Sequence, residues 1–146
     1  MITRRTCREW AVQLLFQEDL NPAENMDSAF EKFWEGRETD PKARAFTEDL
    51  VRGVLEKRRE MDRKVTEVAE NWDIRRIAIV ELNVMRMALY EMLYRKDIPP
   101  VVIINEAVDI AKFFGTRESG RFVNGILDRV RKQLDRPSRT AETSRK

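Results

Sequence analysis

The side chains that do chemistry are unevenly supplied. Among 146 residues there are 28 Lys and Arg and 26 Asp and Glu, but no histidine, and Cys7 is the only cysteine. Lack of histidine removes the usual general base, the Ser-His and Cys-His nucleophile pairs and most zinc sites. The carboxylates Glu81, Glu91 and Glu106 lie in segments of core character, where they can form a polar cluster with Arg86, Asn105 or Lys112. No Gly-rich phosphate loop or metal-ligand spacing accompanies them, so structural ion pairs rather than turnover are their expected role. The sequence therefore predicts no enzyme, no metal and no cofactor. One cysteine also excludes a disulfide framework and suits a reducing cytoplasm.

Arginine beside an aromatic ring carries more information. On a helix, Arg5, Arg8, Val12 and Phe16 fall on one flank of the first segment, away from the centre of its apolar stripe. Guanidinium groups with an outward ring suit single-stranded nucleic acid, phosphates to the cations and a base to the ring. The pattern recurs in Arg121-Phe122-Val123-Asn124-Gly125, where Phe122 sits about 100° from the buried stripe. Gly125 inside a helix costs about 1 kcal/mol relative to alanine and predicts a close approach to the backbone. The competing reading packs both rings on neighbouring helices and leaves the arginines solvated.

Charge distribution points the same way. Net charge is +2, yet residues 1–10 carry +2 and residues 129–146 carry +5, leaving −5 between them. Basic ends fit an anionic partner, and an acidic middle leaves room for a basic protein.

The elements that must position these groups are helical. Ile77 to Tyr94 is apolar apart from Glu81, Asn83, Arg86 and Glu91, is too long for a strand, and has no Gly or Pro. It predicts a buried helix wrapped by others, and its charges make it no membrane span. Around it the spacing predicts a first helix from Thr3 as N-cap to about Asp19, and a short one over 27–35 burying Phe30, Phe33 and Trp34 and closed by Gly36. A third starts at Asp40-Pro41 with the stripe Phe46, Leu50 and Val54. Its phase resumes at Met61, Val65, Val68 and Trp72, but Lys57 and Arg58 interrupt it, which predicts two helices or one bent helix meeting near residue 58. Further helices follow from Pro100 to Phe114 and from 116–119 onward, the last with Val123, Ile126, Leu127, Val130 and Leu134 inward. The segment after Pro137 lacks apolar periodicity and is expected to be disordered. The fold class is all-α, about seven helices in two packed bundles. The expected division is 3–57 and 58–134, with a basic tail over 135–146.

Several runs occur in order along the chain. They are Ala11 to Gln17 (AVQLLFQ) in the Arg-rich first helix, Phe46 to Val54 (FTEDLVRGV), Met85 to Glu91 (MRMALYE), Asp97-Ile98-Pro99, and then INEAV, AKFFG and FVNGILD. Together they closely resemble the NusB family of transcription antitermination factors. The resemblance implies a non-catalytic, cytoplasmic RNA-binding protein of two helical bundles. It implies binding of boxA-type RNA of ribosomal RNA transcripts together with NusE, a small-subunit ribosomal protein, within the RNA polymerase antitermination complex. Carried over by position, Arg4, Arg5, Arg8, Phe16, Arg121, Phe122 and Asn124 would contact RNA, and Glu81 would meet a basic residue of NusE. Phe16 stands where the family usually has Tyr, which keeps a stacking face and loses a hydroxyl. The alternative is an interaction scaffold or homodimer with only weak, non-specific RNA contact.

Overall fold

The computed structural model describes the backbone of residues 2–69 and 73–145, and the side chains of that set as far as residue 134. Among the described residues are six α-helices, one 3-10 turn and no strand. The helices are α1 (Arg4–Leu20), α2 (Met26–Trp34), α3 (Pro41–Val68), α4 (Ile79–Tyr94), α5 (Pro100–Phe114) and α6 (Arg117–Arg145), with the 3-10 turn at Ile74–Arg76. Short polar residues set the starts: the side chains of Thr3 and Asp40 accept from the N–H groups of Thr6 and Ala43, and Pro41 occupies the first turn of α3. The chain turns away after α2 at Gly36, whose φ of 73° is a conformation that side chains resist. No helix among the described residues is long and apolar enough to cross a membrane.

α4 is the spine. Every residue from Leu82 to Leu89 is buried, and α1, α3, α5 and α6 all pack on it. A fully buried Leu or Met of this kind stabilises the fold by roughly 1.5–3 kcal/mol. The buried polar residues of the helix, Asn83, Arg86 and Glu91, are satisfied internally. Arg8 on α1 gives Glu91 two hydrogen bonds of 2.8 Å, from Nε and Nη2. Arg86 donates Nε and Nη2 to Asp62 at 2.7 and 2.9 Å and Nη1 to Asp19 at 2.9 Å, while the Asn83 amide donates to Asp19 at 2.8 Å. Because Arg8 meets Glu91 and Asp19 meets Arg86, α1 and α4 run antiparallel. Glu91, Arg86 and Glu106 thus find their partners on α1 and α3, rather than among one another as the sequence allowed.

Three expectations need correction. Of the two alternatives at residue 58, two separate helices are excluded, because α3 passes it as one continuous helix of 28 residues. The charges that broke its stripe have partners there: Arg58 donates to Asp19 at 3.3 Å, and the Lys57 ammonium lies 5.4 Å from the Tyr94 ring centroid. The helix can therefore carry cations on the face that meets α1 and α4. On α1, Val12 and Arg8 are 1% and 3% exposed, so the middle of the flank read as outward is buried, while Arg5 and Phe16 at its ends stay partly exposed. α1 lies against both α3 and α4 and has two buried faces, where periodicity read one. At the C-terminus α6 extends to Arg145, over most of the expected disordered tail. The side chains from 135 onward, and Trp72 of the third stripe, lie outside the described residues.

Candidate nucleic-acid interface

The N-terminus of α1 presents its three arginines in three different ways. Arg4 is exposed, with its guanidinium carbon 5.0 Å from the Phe46 ring centroid. Arg5 is partly exposed and bridges to α5, pairing with Glu106 and, at 3.0 Å, with Asp109. Arg8 belongs to the core. Burial disfavours its charge, and the hydrogen bonds and charge of Glu91 outweigh that, leaving its pKa raised. The structure thus corrects the placement of Arg8 on the RNA surface, since its guanidinium is spent on holding α1 against α4.

At the other end of α4, the start of α6 is brought against the 3-10 turn. Thr116 and Ser119 exchange hydrogen bonds between side chain and backbone N–H at 3.2 and 3.3 Å, fixing the first turn of α6. That turn places the half-buried Phe122 in the wall of an open pocket of about 360 Å³, together with Arg76, Ile77, Glu81 and Ser119. Arg121 and Asn124 are exposed on either side of Phe122 in sequence. The pocket offers an aromatic ring, a guanidinium and a carboxylate, which can stack a base, hold its phosphate and accept a hydrogen bond from a base amino group.

Helical spacing does not single out Arg76. It is exposed and makes no ion pair among the described residues. Forty-six positions separate it from Phe122, and the only local signal is its basic neighbour Arg75. The structure also joins two residues that the sequence assigned to different partners, Glu81 and Phe122.

Phe16 stands apart from both groups. It is partly exposed and lines an open groove of about 910 Å³ between the end of α1 and α2, with Leu20, Met26, Phe33 and Arg37. Along the helix it is roughly 18 Å from Arg4, at 1.5 Å per residue. A methyl group at Gly125 would meet nothing within 4 Å, so the close approach expected there is not made among the described residues. Among the described residues, no cluster of acidic or cysteine side chains is arranged to hold a metal ion.

Comparison with known proteins identifies the family and the fold. The family model described as "NusB family" matches residues 5–132. The transcription antitermination protein NusB of Geobacter sulfurreducens is 45% identical over 134 residues, covering 92% of this chain and 97% of that protein. Among solved structures, NusB of T. maritima superposes with a TM-score of 0.80 at 38% identity, covering 90% of this chain and 92% of the other. A crystal structure of the antitermination factors NusB and NusE in complex with double-stranded RNA superposes with a TM-score of 0.79 at 26% identity, covering 89% and 96%.

Proposed function

The chain belongs to the NusB family, and on that premise we propose that it is a transcription antitermination factor that binds boxA-type RNA of ribosomal RNA transcripts together with NusE. The observation that carries this reading is the pocket at the start of α6, where Phe122, Arg76 and Glu81 face one space. A base stacks on Phe122, and Arg76 and Arg121 hold the flanking phosphates. Asn124 contacts a base edge, where selectivity arises, whereas phosphate contacts give affinity and its salt dependence. Arg4 and the exposed part of Arg5 extend the cationic track along α1, and Phe16 offers a second ring farther on. Arg8 contributes by holding α1 in place.

Glu81 is the point of contact with a basic residue of NusE in this reading. Glu81 lines the same pocket as Phe122, which supports a reading in which RNA and NusE approach neighbouring parts of this surface. The reading places the protein in the cytoplasm and includes no catalysis. Glu91 and Glu106 are engaged by Arg8 and Arg5, and the sequence has no histidine to serve as a base.

Phe122→Ala tests the assignment. Loss of a stacking ring is worth about 1–3 kcal/mol, so affinity for single-stranded boxA RNA at fixed salt, with NusE present, should fall at least several-fold while helical content is unchanged. Equal affinity would remove Phe122 from the site. A duplex of the same sequence tests strand preference, because a base in a duplex cannot stack on the ring without leaving its partner. The scaffold reading predicts strong NusE binding with RNA affinity that never exceeds the level of a scrambled strand.

A further inference from the structure

Arg4 is not alone at the Phe46 ring. The guanidinium carbons of Arg4, Arg8 and Arg95 lie 5.0, 5.5 and 5.3 Å from that one ring centroid. The cations come from two elements, Arg4 and Arg8 from the first turns of α1 and Arg95 from the C-cap of α4, and a third, α3, supplies the ring. Three cations at one aromatic side chain repel one another unless counter-charge is present. Only Arg8 has it, in the buried Glu91. Neither Arg4 nor Arg95 has a carboxylate oxygen within ion-pair distance among the described residues, and both rest on Phe46. Arg4 is exposed and Arg95 partly so, and thus both present N–H donors to solvent.

Arg5, one residue away, shows what a cation on this surface does when a carboxylate is within reach: it pairs with Glu106 and Asp109. Arg4 and Arg95 instead rest against a ring, which attracts the cation without neutralising its charge and leaves its N–H donors free of a carboxylate. Two such groups at one ring, lacking a carboxylate counter-ion, offer charge and N–H donors to the oxygens of a phosphodiester. We propose that Arg95 and Arg4, braced on Phe46, form a phosphate-binding site for the RNA backbone. This site lies at the junction of α1, α3 and the end of α4, at the opposite end of α4 from the Phe122 pocket. The proposal rests on the RNA-binding reading above and lengthens it: the bound strand spans α4 from end to end, held through its bases at Phe122 and through its backbone at Arg95.

The salt dependence of binding tests this directly. Each phosphate contact on a single strand contributes about 0.7 to the slope of log K against log salt. Arg95→Gln and Arg95→Lys are compared with the unaltered chain and with Lys96→Gln, which removes the neighbouring exposed cation. All are titrated with NusE and a boxA strand long enough to reach both ends of α4. Arg95→Gln is expected to weaken binding several-fold and to lower the slope by about 0.7. Arg95→Lys should keep the slope and lose part of the affinity, and Lys96→Gln should change neither. A boxA strand shortened at the end distal to Phe122 should bind the unaltered chain and Arg95→Gln equally. If Arg95→Gln keeps its slope and affinity while Phe122→Ala is weakened, the phosphate site is overturned and the RNA-binding reading stands. If the unaltered chain binds boxA no better than a scrambled strand, both fall. Thermal midpoints of all variants should agree; a drop in Arg95→Lys, which retains the charge, would show that the arginine is structural and would also overturn the proposal.

Discussion

Arg8 and Glu91 illustrate how much a single residue's role depends on what the other end of the chain brings to it. Side-chain exposure is 4% and 1%, and two hydrogen bonds of 2.8 Å join the pair across 83 positions of sequence. Removing one member leaves the other charged and buried. Glu91→Ala should therefore cost about 3–5 kcal/mol of stability, read as a shift of the urea midpoint. The paired change Arg8→Met with Glu91→Leu should recover most of that loss, since an apolar pair of similar volume avoids the desolvation cost. A double variant as unstable as Glu91→Ala would mean that Arg8 acts through Phe46 and not through Glu91. Helical spacing showed that Arg8 shared a flank with Arg5 and Phe16, but it gave no sign that α4 covers that flank. By contrast, the ties predicted for Arg86 and Glu91 were legible, because charged groups inside an apolar helix must be satisfied.

At the level of elements, two glycines on helices behave oppositely. On α3, a methyl group at Gly53 would run into the ring of Tyr90 on α4. Tyr90 has little room to yield, being stacked on Tyr94 at 5.3 Å, whose hydroxyl donates to Glu60 at 2.7 Å. On α6, Gly125 is exposed with nothing near it. Gly53→Ala trades a helix-propensity gain of about 1 kcal/mol against an overpacking cost of about 1–3 kcal/mol, and is expected to lower stability. Gly125→Ala should raise it by up to about 1 kcal/mol. Denaturant midpoints of both variants check the pair, and stabilisation by Gly53→Ala would show that α3 and α4 are looser at this crossing than the structure indicates. Helix starts were readable from Thr3, Asp40-Pro41 and Pro100 because caps are local. The continuity of α3 was not, because Lys57 and Arg58 break an apolar stripe only until Tyr94 and Asp19 are known to face them.

Over the whole molecule, one hydrophobic cluster runs from Ala11 on α1 to Val130 on α6 without interruption. The polar network of Asp19, Arg58, Asp62, Asn83 and Arg86 joins α1, α3 and α4 within it. We propose that the boundary near residue 58 marks where α3 changes packing partners, and not two units that fold separately. Unfolding should then be a single cooperative transition, with near-ultraviolet and far-ultraviolet circular dichroism tracing the same midpoint. Separated midpoints would show instead that the two packed bundles unfold independently. The sequence by itself determined the all-α class, the buried spine and the basic, aromatic character of the ends of α1 and α6. Those follow from periodicity, capping and composition, which act over a few residues. Only the tertiary structure decided which arginines remain available to a ligand. Glu91 takes Arg8, Glu106 and Asp109 take Arg5, while Arg76 comes to Phe122 and Arg95 to Phe46. The reason is physical: whether a cation is neutralised depends on carboxylates and rings tens of residues away, and only packing brings them within reach.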